Sequence, residues 1–188
     1  MAEQPVLPHV IMKPRVAPPR PKRGDPQCIR ATAIKLTSTI SGVPTAQQIE
    51  DVETDLEDAD SEYADIYRAL TNNHNWDGYE LAKYLDEELG WEVDVSTVQD
   101  LDNAEHYRYT EHNARVEKWV IDYELTPKYA VGDIVTFKQE SKSYEGTIRQ
   151  IYVKQLRYVV EVPALGHNAN SGTLGSVVEE EDLEKQTV

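Results

Sequence analysis

The stretch "YEGTIRQIYVKQLRYVVEV", residues 144–162, decides the class of the fold, because apolar and polar residues alternate along it. The pattern predicts two β-strands, "YEGTIRQIYV" and "LRYVVEV", joined as a hairpin across Lys154 and Gln155. Gly146 lies where the first strand begins, and we expect a side chain there to clash or to strain the backbone. Pro163 ends the second strand.

Further strand signals lie on both sides of this hairpin. "VGDIVTFK" before it predicts a turn at 132–133 and a strand, and after it "SVVEE" predicts a short closing strand and "EDLE" a final turn. Within the first hairpin strand, strict alternation places Ile148 with Gln150 on one face and Arg149 with Ile151 on the other. Residues 128–188 are therefore predicted to form a small β module.

This module resembles the SH3-like small β-barrels, in particular the KOW-type barrels. The resemblance lies in the G-D-x-V opening at 132–135, the E-G-T-I strand entry at 145–148, the R-Y-V-V-E-V strand and the terminal V-V-E-E-E-D-L-E. It implies binding of peptides, RNA or polymerase surfaces through aromatic and basic positions. Those positions are here Tyr129, Phe137, Lys138, Lys142, Tyr144 and Arg157. The whole layout, a tailed acidic helical module followed by a small barrel, also resembles small accessory proteins of bacteriophages.

The middle of the chain, residues 43–127, is strongly acidic, with 23 acidic and five basic residues. Thr45 and Gln48 form a capping box after Pro44, which predicts that a helix starts there and runs to about residue 71. Its apolar stripe is Ile49, Val52, Leu56, Ala59, Tyr63, Ile66 and Leu70. Its candidate partner-binding carboxylates are Asp51, Asp55, Asp58, Glu62 and Asp65.

Several interpretations of this acidic face remain open. It is a solvated surface, an imitation of duplex phosphates, or a docking face for a basic partner, which includes the chain's own N-terminal arm. The acids also stand at the offsets of a calcium-binding EF-hand loop, but Leu56 occupies the position that needs glycine.

Two more helices are predicted before the β module. One runs from Trp76, after an Asn75 cap, to Leu89, with Gly90 ending it and Trp91 folding back on its last turn. The other opens at a Ser96 and Gln99 capping box and is expected to break near Asn103. Three helices with short connections predict an antiparallel bundle. We expect it to enclose Trp76, Trp91 and Trp119.

Residues 1–42 have the opposite charge, with seven basic and two acidic residues, and seven prolines lie between Pro5 and Pro26. Prolines at this density predict an extended basic arm that does not fold alone. Pro18, Pro21 and Arg23 match the P-x-x-P-x-R spacing of ligands for aromatic grooves. The alternatives are a flexible tail and an arm that straps a neighbouring subunit or nucleic acid. Its candidate binding residues are Arg15, Arg20, Lys22 and Arg23.

Signals of catalysis are weak in this chain. Cys28 is its one cysteine and has no positioned base, and the glycines of "LGHNANSGTLG" lack nucleotide-loop spacing. His106 and His112 are six residues apart, which is not the spacing of a zinc pair. The sequence predicts a protein without cofactor or metal that is not an enzyme, and it lacks an apolar run of membrane-spanning length. We expect a cytoplasmic location, in a host cell or a virion if a phage encodes it.

Together these patterns predict an α+β chain: a basic Pro-rich arm (1–42), an acidic three-helix bundle (43–127) and an SH3-like β-barrel (128–188). The predicted function is that of a non-enzymatic adaptor, docking on a basic protein or a larger assembly through the acidic face and the barrel. The alternatives are a phage-type nucleic-acid mimic that inhibits a host enzyme, and a virion component strapped by its arm. Nucleic acid is a further candidate partner for the arm, and a membrane is not. Residues 43–188 are expected to fold without the arm.

Overall fold

The structure is a computed structural model that describes residues 16–42, 61–72, 77–166 and 175–185. Its class is α+β, with helices followed by a five-stranded antiparallel sheet. The helices are α1 Pro26–Ser41, α2 Glu62–Asn72, α3 Gly78–Leu89, α4 Val95–Leu101 and α5 Ala104–Asp122. The strands are β1 Ile134–Gln139, β2 Lys142–Tyr152, β3 Arg157–Glu161, β4 Ser176–Glu179 and β5 Glu184–Lys185.

Helix α1 lies inside the segment predicted to be an extended arm, so that prediction is wrong for residues 26–41. The helix starts at Pro26, whose missing N–H costs nothing in a first turn, and ends at Gly42, which has φ 69°. Its buried face contains Cys28, Ala33 and Leu36, each 0% exposed. Because this face packs against α2 and α5, the helix is part of the core.

Helix α2 keeps the apolar stripe predicted for the acidic helix, since Tyr63, Ile66 and Leu70 are buried. The helix begins only at Glu62, however, after a bend at Ser61. The Ser61 hydroxyl accepts a hydrogen bond from the Ala64 N–H at 3.2 Å, as a residue preceding a helix does. A helix running unbroken through residue 61 is therefore wrong, and its predicted start at residue 45 lies outside the described residues.

Helices α3 to α5 follow the predicted order with different caps. Asp77 caps α3, whereas the predicted cap Asn75 lies outside the described residues. Asp94 caps α4, whereas Ser96 was predicted to do so. Gly90 ends α3 with φ 72°, and the N–H of Trp91 folds back to the carbonyl of Leu85, as predicted. The predicted break also occurs, because α4 ends at residue 101 and α5 starts at residue 104.

The predicted hairpin of β2 and β3 is present, with a 3₁₀ turn at Val153–Gln155. The expected crowding at Gly146 is confirmed, because a Cβ there would lie 2.5 Å from the Glu161 carbonyl oxygen. A bulge between Ile148 and Gln150 shifts the alternation, so Ile151 faces the same core as Ile148. The sheet order is β4-β3-β2-β1-β5, and the sheet is open, with β4 and β5 at its edges.

Side chains of the β2–β3 turn connect the helices to the sheet. Leu156, with φ 47° and 2% exposure, packs in one cluster with Val116 and Val120 of α5. Trp119 and Leu125 are half-buried at the edge of this cluster. The sheet is thereby fixed against α5, which positions the site described next.

Candidate functional site

Residues 16–25, called the strap from here on, run along one side of α5. The Trp119 indole N–H donates to the Pro18 carbonyl oxygen at 3.0 Å, and the His112 Nε2 lies 3.0 Å from the Pro21 carbonyl oxygen. Arg23 lies over the Tyr109 ring, 5.1 Å from its centroid. The strap therefore runs antiparallel to α5. Its prolines were predicted to bind an aromatic groove of a partner, and Pro18 and Pro21 instead contact aromatic side chains of their own chain.

The match between strap and helix follows from their repeats. In extended polyproline conformation, three residues from Pro18 to Pro21 span roughly 9 Å. The seven residues from His112 to Trp119 rise roughly 10 Å along an α-helix. Carbonyl groups three residues apart on the strap therefore reach side chains two helical turns apart on α5, which explains why an extended segment suits this face.

Arg20 points from the strap into the junction between helices and sheet, and it is 7% exposed. It donates to the carbonyl oxygen of Gln155 at 2.7 Å. Its guanidinium also lies 3.3 Å from a carboxylate oxygen of Glu179 and 3.5 Å from one of Glu181. The strap thus binds both parts of the molecule at once.

Arg157 enters the same junction from β3 and is 6% exposed. It donates to the Asn113 side-chain oxygen at 3.0 Å, contacts the His112 Nδ1 at 3.3 Å and reaches Glu179 at 3.5 Å. The prediction that Arg157 binds a partner is therefore corrected, because its guanidinium is used inside the molecule. A buried guanidinium needs such partners to offset its desolvation.

Other titratable groups in the junction are held by hydrogen bonds. The Tyr158 hydroxyl donates to Glu180 at 2.6 Å, and burial, together with this carboxylate, raises the pKa of Tyr158. Glu180 also accepts from the Lys128 N–H at 2.9 Å. Burial lowers the pKa of His112, so its ring is neutral at neutral pH.

An open groove of about 630 Å³ lies beside the strap. Its lining includes the apolar residues Pro18, Trp119, Leu125 and Leu156 and the charged residues Lys128, Glu180 and Glu181. The groove borders the contacts that hold the strap.

The residues predicted to bind a partner on the barrel differ in their exposure. Phe137 is 5% exposed and belongs to the sheet core, so its predicted role in partner binding is also corrected. Tyr129 and Tyr144 are half-buried, with the Tyr129 hydroxyl donating to the Leu183 carbonyl oxygen at 2.7 Å. Lys138 and Lys142 are exposed near the β1–β2 turn, and Lys138 borders a small cleft with Glu181, Asp182 and Glu184.

Of the predicted binding residues in the acidic helix and the arm, some lie outside the described residues, some are exposed and some are bonded within the molecule. Asp51, Asp55, Asp58 and Arg15 lie outside the described residues. Glu62 is exposed in the first turn of α2, whereas Asp65 accepts from the Trp91 indole at 2.9 Å and pairs with Arg68 at 3.3 Å. Lys22 and Arg23 are exposed on the strap, and Arg23 pairs with Glu105 at 3.4 Å.

A second acidic surface was missed by the sequence reasoning. Five exposed carboxylates lie at and after the last turn of α3: Asp86, Glu87, Glu88, Glu92 and Asp94. The last turn of this helix contains no basic residue, and no ion pair within the described ranges involves these five carboxylates. The sequence signal was the run "DEELG", which places three acids where the helix dipole is negative.

Cys28 and His106 show no catalytic arrangement. Burial raises the pKa of the Cys28 thiol, and its Sγ contacts the Arg108 carbonyl oxygen at 3.6 Å. His106 is exposed and His112 is buried, so the two do not share a site. Within the described ranges, no helix has the length and apolar character needed to cross a membrane, and no group of three or more metal-ligating side chains occurs.

Comparison with protein-family models, curated proteins and solved structures finds no match.

Proposed function

We propose that this chain is a non-enzymatic interaction protein that docks on a basic partner through acidic helical surface. The observation that carries the proposal is the cluster at the end of α3, where Asp86, Glu87 and Glu88 lie in a last turn without a basic residue. Negative charge at a helix C-terminus costs about 0.3–1 kcal/mol per group. A surface that lowers the stability of its own helix favours a role in binding over one in folding.

The sheet provides a second surface for the proposed adaptor. Lys138 and Lys142 are exposed near the β1–β2 turn, beside the half-buried Tyr144 ring, whose centroid lies 6.0 Å from that of Phe137 in a tilted arrangement. Basic and aromatic side chains in this arrangement suit an acidic or aromatic segment of a partner. The two lysines flank Glu140, so this turn carries charges of both signs, unlike the end of α3, and the two surfaces fit different parts of a partner or different partners.

An SH3-like interpretation of the sheet remains part of the proposal. It is supported by the sheet order β4-β3-β2-β1-β5 and by the 3₁₀ turn Glu180–Asp182 directly before the last strand. The nucleic-acid-mimic alternative depended on one continuous acidic helix through residues 45–71, and a helix that begins at Glu62 does not favour it. The virion alternative gains one observation, since the strap is able to fix separate elements together.

The test is a charge reversal of two acids in the α3 cluster. The variant Glu87→Lys, Glu88→Lys should unfold at a slightly higher temperature than the wild type, because two unfavourable dipole contacts become favourable. To find the partner, wild-type protein is immobilised, cell extract is applied at low salt, and bound proteins are eluted in steps of rising salt. The variant should fail to retain the partner that the wild type retains at low salt. The retained partner is then purified and its affinity for each variant is measured by titration calorimetry.

A matched control has the same change in net charge elsewhere. Asp122 and Glu124 are exposed at the C-terminal end of α5, outside both proposed docking surfaces. Asp122 has an exposed ion pair with Lys118, and loss of such a pair costs about 0–1 kcal/mol. Asp122→Lys, Glu124→Lys should bind the partner as the wild type does. Equal loss in both variants would indicate non-specific charge attraction and would refute an α3 docking surface.

A further inference from the structure

The contact between the strap and α5 has a titratable side chain at its centre. The His112 ring is 3% exposed, with Nε2 3.0 Å from the Pro21 carbonyl oxygen and Nδ1 3.3 Å from the Arg157 Nη2. A carbonyl oxygen only accepts and a guanidinium only donates. The two contacts together therefore require a neutral ring with its proton on Nε2.

A second ring proton has no acceptor in this arrangement. It would sit on Nδ1 and point at the Arg157 guanidinium, so that two donors and two positive charges would meet in a space closed to water. The charged groups that face the ring are Arg157 of β3, Glu179 of β4 and Arg23 of the strap. Glu179 already lies near Arg157 at 3.5 Å and Arg20 at 3.3 Å, so its one negative charge is shared before His112 gains a proton.

The titration has a defined direction. Burial is the main cause that lowers the His112 pKa below 6.5, the Pro21 carbonyl opposes it, and Arg157 adds to it. When the strap leaves, water reaches Nε2 and the pKa returns toward its ordinary value. The released state therefore binds more protons below pH 6.5, and the docked state is favoured above that pH and weakened as the pH falls through this window.

The strap is the element that yields at the lowest cost. Among the described residues it is held to α5 and the sheet by hydrogen bonds and ion pairs of side chains, whereas β3 is hydrogen-bonded on both sides along its backbone by β2 and β4. Loss of Arg20 leaves no buried, unpaired acid, because the side chains of Glu179 and Glu181 are 36% and 48% exposed. Glu179 also keeps its contact with Arg157.

We propose that His112 is a pH-sensitive latch: protonation of its ring releases the strap from α5. Release exposes the apolar groove at Trp119 and Leu156 and frees a basic, proline-rich segment while the folded helices and sheet persist. The inference rests on the geometry of the junction and does not depend on the proposed docking function of α3.

The experiment follows two indole N–H resonances of the ¹⁵N-labelled full chain by NMR from pH 7.5 to pH 5.0. The Trp119 indole reports the strap through its bond to Pro18, and the Trp91 indole, bonded to Asp65 at 2.9 Å, reports the helical core. The Trp119 signal should shift with a midpoint below pH 6.5 while the Trp91 signal stays in place. The ratio of released to docked protein should rise up to about tenfold for each pKa unit by which docking depresses His112.

The control variant is His112→Gln, which keeps a donor for Pro21 and an acceptor for Arg157 but cannot titrate. Its Trp119 signal should remain at the docked position at both pH values. The latch is refuted if the wild-type Trp119 signal does not move, if it moves equally in His112→Gln, or if Trp91 shifts together with it, which would indicate general unfolding. Should the variant fold poorly, the His112 ring carbon resonances of the wild type decide: their midpoint must coincide with that of Trp119, and a different midpoint refutes the proposal.

Discussion

Replacement of Arg20 by alanine should destabilise the protein far more than replacement of Arg23, three residues along the same strap. Arg20 is 7% exposed and donates to the Gln155 carbonyl oxygen at 2.7 Å. A hydrogen bond from a charged group contributes about 1.5–3 kcal/mol. The contacts with Glu179 and Glu181 contribute less, about 0–1 kcal/mol each, because water screens half-exposed carboxylates. The expected loss is about 2–4 kcal/mol.

Arg23 is the matched control because its contacts are exposed. Its ion pair with Glu105 joins side chains that are 44% and 48% exposed, and its guanidinium lies over the Tyr109 ring. Such contacts together contribute about 1 kcal/mol at most. Charge, strap and side-chain type are the same in the two variants, so the difference between them isolates burial.

Urea unfolding followed by circular dichroism measures both variants. With a slope of about 2–3 kcal/mol/M, Arg20→Ala should lower the urea midpoint by about 0.7–2 M, and Arg23→Ala by less than about 0.5 M. Equal shifts would refute the reasoning, because they would mean that the buried contacts of Arg20 add nothing beyond a surface charge. An unchanged midpoint for Arg20→Ala would show that the strap is not coupled to the stability of the fold.

Three further predictions concern the two cores. Removal of residues 1–42 should abolish folding, since it deletes the buried Ala33 and Leu36 of α1. Circular dichroism and size-exclusion chromatography measure the outcome, and a compact helical product would contradict the prediction. Gly146→Ala should lower the thermal midpoint by several degrees, because its Cβ would meet a carbonyl oxygen at 2.5 Å, whereas Gly24→Ala, with open space around it, should not. Val159→Asp should cost about 3 kcal/mol or more of unfolding free energy, because the residue is 4% exposed on a central strand; unchanged urea unfolding would mean that the position is solvated.

Local signals made part of this fold predictable from the sequence. The β2–β3 hairpin followed from alternation, and the helix end at Gly90 followed from its position directly after Leu89, the last residue of an apolar stripe, because each signal depends on neighbours a few residues away. The bulge after Ile148 was not predictable in this way, since strict alternation assumes an undistorted strand.

Helix α1 shows why local signals fail elsewhere. Its sequence, "PQCIRATAIKLTSTIS", is rich in β-branched residues and serine, which are poor helix formers, and it follows a run of prolines. The helix is stabilised by burial of Ala33 and Leu36 against α2 and α5, which involves residues far away in the sequence. For the same reason, we expect residues 43–188 not to fold alone, contrary to the expectation from the sequence.

The candidate site was the least predictable part, because charge alone does not reveal burial. Arg20, Arg23 and Arg157 are the same residue type, yet two are buried in the junction and one is exposed on the surface. What separates them is the carbonyl and carboxylate groups that the fold places within reach, here from the β2–β3 turn and β4. No sequence pattern marked those acceptors.

The buried arginines have a consequence for how the two proposed binding surfaces work together. Arg20 connects the strap to the β2–β3 turn, Arg157 connects β3 to α5, and Leu156 packs in one cluster with Val116 and Val120. Because polar and apolar contacts cross the same junction, the sheet cannot swing relative to α5 without leaving charged groups unpaired in a buried space. The acidic end of α3 and the β1–β2 turn of the sheet are then held at a fixed separation. A partner that contacts both would bind without the entropy cost of first fixing their relative position.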